Sequence, residues 1–346
     1  MPQFPAFINV ADLDGSNGFR LDGLTGNDRL GWSVASAGDV NGDGFDDLVI
    51  GAPGADPNGE SSGSSYLVLG KASGFSAVFD LSSTLDRNHF RFDGAAAYDN
   101  SGNSVASAGD INGDGFDDFI IGAYVANSNG VNTGSTYVIF GKSGTFAAGT
   151  NLSTLNGSNG FRLDGIAVGD RSGNSVASAG DVNGDGFDDL VIGAQYAGGG
   201  SYYGASYVVF GKATGFAASL DLATLNGSNG FTIAGIAPLE RSGYSVSSAG
   251  DVNGDGFGDL IIGAPFASTN GISNGVSYVV FGKSSGFAAS FDLLTLDGTN
   301  GFRIEGVAVG DRSGHSVASA GDVNGDGIDD LIIGASAADP NGNVSG

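Results

Sequence analysis

A nine-residue pattern, Asp-x-Asn-Gly-Asp-Gly-x-x-Asp, occurs five times in this chain of 346 residues. The copies begin at residues 39, 110, 181, 251 and 322, so successive copies are 71, 71, 70 and 71 residues apart. Self-similarity at a fixed period of this length is typical of architectures that stack one supersecondary unit many times. The repeat therefore predicts one continuous domain over residues 1–346 instead of several unrelated domains.

Four short apolar segments fill each repeat. In the third repeat they span residues 175–180, 189–194, 205–212 and 229–235, and Gly, Asn or Ser residues bound them. Their β-branched and aromatic residues are typical of strands, and no stretch shows sustained helical periodicity with caps. Four strands in about 70 residues describe one propeller blade. The predicted fold class is thus all-β, a β-propeller of four-stranded antiparallel blades.

The nine-residue loop has the composition of a calcium site. Side-chain oxygens stand at loop positions 1, 3, 5 and 9, position 7 would offer its backbone carbonyl, and glycines at positions 4 and 6 permit a tight turn. Oxygen-only ligands in a flexible loop favour Ca²⁺ over zinc, copper or magnesium, so one ion is expected per repeat, about five in all. The predicted ligands in loops 39–47, 110–118, 181–189, 251–259 and 322–330 are Asp39, Asn41, Asp43, Phe45, Asp47, Asp110, Asn112, Asp114, Phe116, Asp118, Asp181, Asn183, Asp185, Phe187, Asp189, Asp251, Asn253, Asp255, Phe257, Asp259, Asp322, Asn324, Asp326, Ile328 and Asp330.

Two other interpretations of the loop compete with this one. An EF-hand begins similarly but needs a bidentate Glu at position 12 and a helix on each side. Position 12 is isoleucine in every copy, which excludes the EF-hand. An Asx-rich turn without metal stays open as the structural alternative. Position 8 is expected to point away from the ion, because Gly258 replaces the aspartate there while Asp259 is kept.

The net charge of −25 argues against binding to nucleic acid or to an anionic membrane surface. Of the 38 acidic residues, 15 are the aspartates at loop positions 1, 5 and 9, and five divalent ions would bring the net charge to about −15. The chain has no cysteine, no apolar run long enough to span a bilayer, and no secretory signal at residues 1–5. Extracellular calcium modules bind at about 0.1 to 1 mM, which predicts an extracellular or cell-surface location.

The segments around the loops resemble the FG-GAP repeats of the integrin alpha-chain β-propeller. The matching residues in the first repeat are 31–36, the loop 39–47 and 48–53, and the fourth repeat matches in the same places. The proline that ends the second motif is replaced by Tyr124, Gln195 and Ser336 in other repeats. The repeats are also more alike than those of animal integrins, which suits a bacterial-type FG-GAP protein.

The resemblance implies a seven-bladed parent ring that contains these five repeats. Residues 3–19 align without a gap onto residues 286–302, so the chain starts just before a fourth strand. Residues 334–346 stop before the third strand of the fifth repeat. We therefore expect a C-terminally incomplete propeller, with a five-bladed ring lacking one strand at its seam as the alternative.

Alternate connections of an antiparallel blade lie on opposite faces. The calcium loops share one face with the third-to-fourth connections, and the other two sets of connections share the second face. The second face varies at one equivalent position, which holds Trp32, Asn103, Asn174, Tyr244 and His315, and in the loops at 57–60, 127–130 and 202–203. Variable loops on a rigid scaffold are a common place for a binding site, and the resemblance likewise implies ligand recognition there. Simple drift is the alternative.

Catalysis finds little support, and we expect no enzyme. His89 and His315 are the only histidines and do not recur, and Ser316 beside His315 is a repeat serine on the opposite side of its strand. The Gly-Lys-Ser at 141–143 lacks the other features of a phosphate loop. The Asp-Arg pairs, such as Asp170-Arg171 and Asp311-Arg312, are interpreted as structural ion pairs.

The sequence thus predicts a secreted calcium-binding propeller that presents loops for adhesion to an extracellular protein or glycan. Two alternatives stay open: a domain of a larger secreted hydrolase or lyase, and a structural spacer in a surface protein. The identity of the ligand and the oligomeric state are not predicted, and nothing in the chain corresponds to an integrin partner subunit.

Overall fold

A computed structural model of the chain describes residues 7–82, 88–213, 215–269, 272–339 and 345–346. These ranges contain twenty-five β-strands and five short 3-10 helices, and no α-helix occurs within them. The predicted all-β class is confirmed. The repeated alternation of short strands with Gly- and Asn-rich turns explains it, because no segment is long or periodic enough to form an amphipathic helix.

Each of the first four repeats forms one antiparallel four-stranded blade, as predicted. In chain order the strands are Ser33–Gly38, Asp47–Ala52, Ser64–Val68 and His89–Asp93 in the first blade; Ser104–Gly109, Asp118–Ala123, Ser135–Ile139 and Gly160–Asp164 in the second; Ser175–Gly180, Asp189–Ala194, Ala205–Val209 and Gly230–Ala234 in the third; and Ser245–Gly250, Asp259–Ala264, Val276–Val280 and Gly301–Glu305 in the fourth. In the fifth repeat, Ser313–Gly321 pairs with Asp330–Ala335.

A short parallel strand, which the sequence did not predict, extends the outer edge of three blades. It comes from the third-to-fourth connection of the following repeat: Gly149–Asn151 joins the first blade, Ser219–Asp221 the second and Ser290–Asp292 the third. Arg20–Leu21 and Val78–Phe79 form the same parallel pairing. Each of these blade edges is therefore covered by its successor, which removes an open edge and links neighbouring blades.

The remaining elements are short. A 3-10 helix follows each of the last three parallel strands, and an Asn or Asp side chain caps its first turn. These helices are Leu152–Thr154, Leu222–Thr224 and Leu293–Thr295, and two others are Val10–Asp12 and Gly199–Ser201. Ser268–Thr269 and Ile272–Ser273 form a small hairpin in the fourth repeat.

The hydrophobic core lies between blades. One cluster joins Phe92 of the first blade to Phe119 of the second, with the ring centroids 5.1 Å apart in an edge-to-face arrangement. Equivalent clusters join the second blade to the third and the third to the fourth. Val176, on the first strand of the third blade, is only 7% exposed, whereas its counterpart Val34 in the first blade is 66% exposed. Packing against a preceding blade, not the local sequence, buries this position.

The propeller fold is thus established. The number of blades in the complete ring, the seven-bladed parent and the C-terminally incomplete domain stay predictions.

Candidate functional site

Each calcium-type loop lies in the hairpin between the first and second strands, as predicted. In the first blade, a β-bulge between Ser36 and Gly38 shifts the strand register just before the loop. Gly38 has φ 76°, a left-handed conformation that glycine adopts without steric cost. The bulge places Asp47 opposite Gly38 and makes the intervening residues project beyond the sheet.

The side chains at loop positions 1, 3 and 5 point into the loop. Asp39 accepts hydrogen bonds from the backbone N–H groups of Gly42, Asp43 and Gly44 at 2.8, 3.0 and 2.8 Å. Asn41 accepts from Asp43 N–H at 2.8 Å, and Asp43 accepts from Phe45 N–H at 3.0 Å. The third and fourth loops repeat this arrangement bond for bond.

The aspartate at position 9 is buried beneath the loop. Asp47 has no exposed surface, and its carboxylate accepts hydrogen bonds from Gly70 N–H at 2.8 Å and Val40 N–H at 3.1 Å. Burial, with a contribution from the charges of Asp43 and Asp39, raises the pKa of Asp47 to about 6. The same causes raise the pKa values of Asp118 and Asp189 to about 8 and that of Asp259 to about 6.

The loop carboxylates lie near one another without a basic partner. None of the ion pairs among the described residues involves a loop aspartate. The donors are oxygens only, which fits a hard cation such as Ca²⁺. Yet no three Asp, Glu or His side chains in the described ranges form a group arranged to hold a metal. Asp39 and Asp43 turn their oxygens toward backbone N–H groups of the loop, and the ligand set stays a prediction.

Each of the first four calcium-type loops is contacted by residues of the following blade, a feature that the sequence did not predict. Asp117, at position 8 of the second loop, accepts a hydrogen bond from Asp39 N–H at 2.8 Å. Lys142 N–H donates to Val40 C=O at 2.9 Å. The Phe116 ring lies against Gly42, where an added Cβ would be only 2.5 Å from it. The side chain at position 8 of this loop therefore binds the loop of the preceding blade.

The aspartate at position 8 makes this bond at three of the four junctions. Asp188 accepts from Asp110 N–H at 2.9 Å, and Asp329 accepts from Asp251 N–H at 2.9 Å. At the remaining junction Gly258 replaces the aspartate, and its own N–H donates to Asp181 C=O at 2.9 Å. The same backbone bond accompanies the carboxylate at two other junctions, where Asp117 N–H donates to Asp39 C=O at 3.3 Å and Asp329 N–H donates to Asp251 C=O at 3.2 Å. The glycine therefore loses the carboxylate bond and keeps the backbone bond.

On the opposite face, arginine and aromatic side chains alternate across the second to fifth repeats. Each cation lies over a ring, at centroid distances of 5.9, 4.8, 5.0, 4.7 and 5.5 Å along the row. We call this row the arginine–aromatic ladder; its members are Tyr124, Arg171, Tyr196, Arg241, Phe266 and Arg312.

The ladder corrects the interpretation of the Asp-Arg dipeptides as ion pairs, which is wrong. Asp170 is buried and accepts a hydrogen bond from Ala167 N–H at 3.2 Å, while Arg171 lies over Tyr196. Arg171 has φ 56°, a left-handed conformation that separates the two side chains. The recurring ion pairs lie instead on or beside the fourth strands: Arg20–Asp22, Arg91–Asp93, Arg162–Asp164 and Arg303–Glu305.

The structure also brings neighbouring members of the variable position together. Tyr244 and His315 lie 4.9 Å apart between ring centroids, and the Tyr244 hydroxyl is 3.2 Å from His315 Nε2. Asn103 donates to Asn174 C=O at 3.5 Å. Trp32 is 58% exposed and lies beside Arg29. A row of different side chains therefore crosses this face at the blade junctions.

Five repeated units, each with a hairpin loop and a recurring blade geometry, define a β-propeller of repeat type. The FG-GAP repeat model matches residues 30–68, 101–139, 172–209, 242–280 and 313–346, and the chain belongs to the FG-GAP repeat family. No helix within the described ranges has the length and apolar character needed to cross a membrane.

Relatives of two kinds share these repeats. Integrin alpha pat-2 of Caenorhabditis elegans is 33% identical over 244 residues, which cover 68% of this chain and 18% of that protein. Integrin alpha-V of Gallus gallus is 32% identical over 238 residues, covering 68% and 20%. Phosphatidylinositol-glycan-specific phospholipase D of Bos taurus is 36% identical over 192 residues, covering 52% and 21%. The chain thus spans only a minor part of each relative's length.

Proposed function

We propose that this chain is a calcium-binding propeller that acts outside the cell as an adhesion or ligand-binding scaffold. Calcium would stiffen the blades, and the face opposite the loops would bind an extracellular protein or a glycan. The similarity to integrin alpha chains supports the adhesion role. The net charge of −25 supports the exclusion of nucleic acid as a partner.

The observation that carries the calcium proposal is the buried aspartate at position 9. A carboxyl group whose pKa is raised by burial and by neighbouring carboxylates costs free energy in its charged form, and a bound cation removes most of that cost. Asp118 and Asp189 show this cost most clearly, because both are fully buried, and burial with the neighbouring loop carboxylates raises their pKa values to about 8. When bound, the ion would supply charge neutralisation and a rigid link between the strands of the hairpin.

The loop that surrounds the ion is also the point where two blades meet. Asp185 N–H and Gly186 N–H bind Asp181 inside the loop, while Gly258 N–H reaches Asp181 C=O from the next blade. Ordering this loop would therefore order the junction as well as the hairpin. This is how calcium could rigidify the scaffold without touching the opposite face.

Ion counting on loop variants tests the ligand assignment. Asp185→Ala removes a predicted ligand of the third loop and is expected to lower the bound calcium by one ion per chain. Asp188→Ala, the matched control at position 8, is expected to keep the full count. Equal loss of calcium in the two variants, measured by titration calorimetry and metal analysis, would contradict the assignment of positions 5 and 8.

The phospholipase D relatives favour a second candidate, a propeller domain of a larger secreted hydrolase. The protein from Dictyostelium discoideum is 29% identical over 315 residues, which cover 85% of this chain and 31% of that protein. We propose that the repeats themselves are not catalytic, since His315 is engaged with Tyr244 and His89 lies on a fourth strand. The purified chain is expected to leave a phosphatidylinositol-glycan substrate intact. Hydrolysis of this substrate would contradict the proposal that the repeats are not catalytic.

A further inference from the structure

From the second to the fourth repeat, the exposed charges of one sector of the second face are positive, although the chain as a whole is strongly acidic. The second-to-third connections at 124–134, 195–204 and 265–275 contain no charged residue. In the fourth-to-first connections of repeats three to five, each acid is followed directly by an arginine. The acids Asp170, Glu240 and Asp311 are 3, 3 and 9% exposed.

The three arginines themselves reach the surface. Arg171 and Arg241 are partly exposed and Arg312 is exposed. From the second to the fourth repeat, the sector therefore presents cations to solvent while its anions lie underneath, on a protein whose net charge is −25. In the fifth repeat the exposed Asp339 follows the second strand on the same face. Clustering of three of only 13 basic residues in this row favours a negatively charged partner.

Among the described residues, no side chain pairs with the hydrogen-bond donors of the ladder guanidinium groups. Within the part of the chain that the structure describes, the side chains of Arg171, Arg241 and Arg312 form no ion pair, and their contacts are with ring faces. A guanidinium stacked on a ring still offers the N–H groups along its edge, which match a carboxylate with two parallel hydrogen bonds. The rings thus fix the arginines in place without using their donors.

The backbone at these arginines is in the left-handed region. Arg171, Arg241 and Arg312 have φ values of 56, 52 and 56°, a region that long side chains rarely occupy. The equivalent residue of the second repeat is Asn100, with φ 50°, and asparagine tolerates this conformation better. The loop forms with either residue, so the arginines are not needed to build it.

The surroundings of the ladder are rich in hydroxyl and amide groups. Tyr202 lies edge-on to Tyr196 with 5.4 Å between centroids, and Tyr244 lies 6.0 Å from Phe266. Asn174 and Ser201 stand in the neighbouring connections. Tyrosine, asparagine and serine side chains supply adaptable hydrogen bonds to a polar ligand surface.

We infer that the arginine–aromatic ladder is a binding surface for an acidic polysaccharide. The guanidinium edges receive carboxylates of the polymer, and the neighbouring tyrosine and asparagine side chains bind its hydroxyl groups. The inference rests on the proposed function only in placing ligand binding on this face, and it does not depend on which residues hold calcium.

Binding of hyaluronan oligosaccharides to the calcium-loaded full chain tests the inference, because this polymer carries one carboxylate per disaccharide. Calorimetry at low and high salt is expected to show binding that weakens as salt screens the exposed arginines. Arg241→Asn removes the central cation, and Asn100 shows that the loop accommodates asparagine. This variant is expected to lose about tenfold in affinity, the effect of one lost charge-assisted hydrogen-bonded pair.

Lys283→Gln is the matched control. Lys283 lies over Phe287 at 4.8 Å, on the face of the calcium loops, so the variant loses the same charge and a similar stacking contact elsewhere. It is expected to keep the wild-type affinity. Asn100→Arg is the reciprocal test, since it places an arginine at the position that Arg171, Arg241 and Arg312 occupy in the later repeats, and it is expected to strengthen binding.

Three results would overturn the inference. The first is the absence of hyaluronan binding by the folded, calcium-loaded chain. The second is equal loss of binding in Arg241→Asn and Lys283→Gln, which would show that the net charge of the chain, not the ladder, determines the affinity. The third is stronger, ladder-dependent binding of a polyglutamate peptide, which would assign the surface to acidic proteins. Calcium counting on the same samples reports separately on the proposed function, so the two failures are distinguishable.

Discussion

The two faces of this propeller differ in which features recur from one repeat to the next. On the loop face the side-chain hydrogen bonds of the first, third and fourth loops recur bond for bond, so Asp181 binds Gly184 and Gly186 just as Asp39 binds Gly42 and Gly44. On the ladder face the backbone recurs but the side chains change: Asn100 and Arg171 have φ values of 50 and 56° in the same loop. The loop face thus repeats its side-chain hydrogen bonds, whereas the ladder face repeats only its backbone conformation.

This difference follows from where the blades are joined. Each inner loop contacts its own third strand and the next blade, so a change there disturbs two blades at once. The ladder residues project outward from turns whose conformation is set by buried neighbours such as Asp170 and Ser172. The loop face therefore maintains the architecture, while the ladder face is free to vary its side chains and to carry a binding site.

The largest predicted effect is at the buried aspartate of an inner loop. Asp189→Ala removes the acceptor for Val182 N–H and Gly211 N–H, and leaving two buried donors unpaired is expected to cost about 3 kcal/mol of unfolding free energy. Urea denaturation in calcium buffer measures it. Asp330→Ala in the more exposed last loop is the control and is expected to cost less than about 1 kcal/mol. Equal losses would show that burial between blades is irrelevant.

The next effect is on the ladder face and depends on pH. Burial raises the pKa of Glu240 from its usual value of 4.5 to about 6, so between these two pH values the folded chain holds a proton that the unfolded chain has released. Glu240 therefore lowers the unfolding free energy as pH rises through this window, by about 2 kcal/mol in all. Glu240→Gln is expected to remove this slope.

The difference between the wild-type and Glu240→Gln stability profiles isolates this residue from the other buried acids. The amide of the substituted side chain would still offer an oxygen to Ile236 N–H, the partner of Glu240 in the structure. Parallel profiles for the two proteins would contradict the buried, protonated state of Glu240.

The smallest effect distinguishes the two roles of position 8. Asp188→Ala removes the bond to Asp110 N–H in the preceding blade and is expected to cost about 1 kcal/mol while leaving the calcium count unchanged. Asp46→Ala is the matched control, because the exposed Asp46 carboxylate makes no hydrogen bond within the described residues. Thermal unfolding of the two variants measures the difference. Identical melting temperatures would contradict a stabilising bond from position 8 to the preceding blade.

The sequence predicted the features that a single repeat contains. Alternation and turn residues in the third repeat were enough to place its four strands, and loop spacing placed the inward side chains of positions 1, 3 and 5. The parallel strand Gly149–Asn151 escaped prediction because three residues carry no readable alternation. It forms only because the fourth strand of the preceding blade offers a free edge.

Features that join two repeats could not be predicted from spacing along the chain. The bond between Asp117 and Asp39 connects residues 78 positions apart, and nothing in either loop indicates it. The ion pair expected for Asp170 and Arg171 failed because sequence adjacency does not reveal the left-handed backbone at Arg171. Gly258 indicated that position 8 is not a ligand of its own loop, but it gave no sign that the aspartate there binds the loop of the preceding blade.

Calcium binding by the loops is tested most directly by thermal melts in millimolar calcium and in excess chelator, combined with a count of bound ions. We expect about one ion for each of the five loops and a large fall in melting temperature on chelation, because the loops also join neighbouring blades. An unchanged melting temperature with no bound ion would contradict this expectation. That result would make the loops metal-free Asx turns and leave the ladder face as the functional region of the molecule.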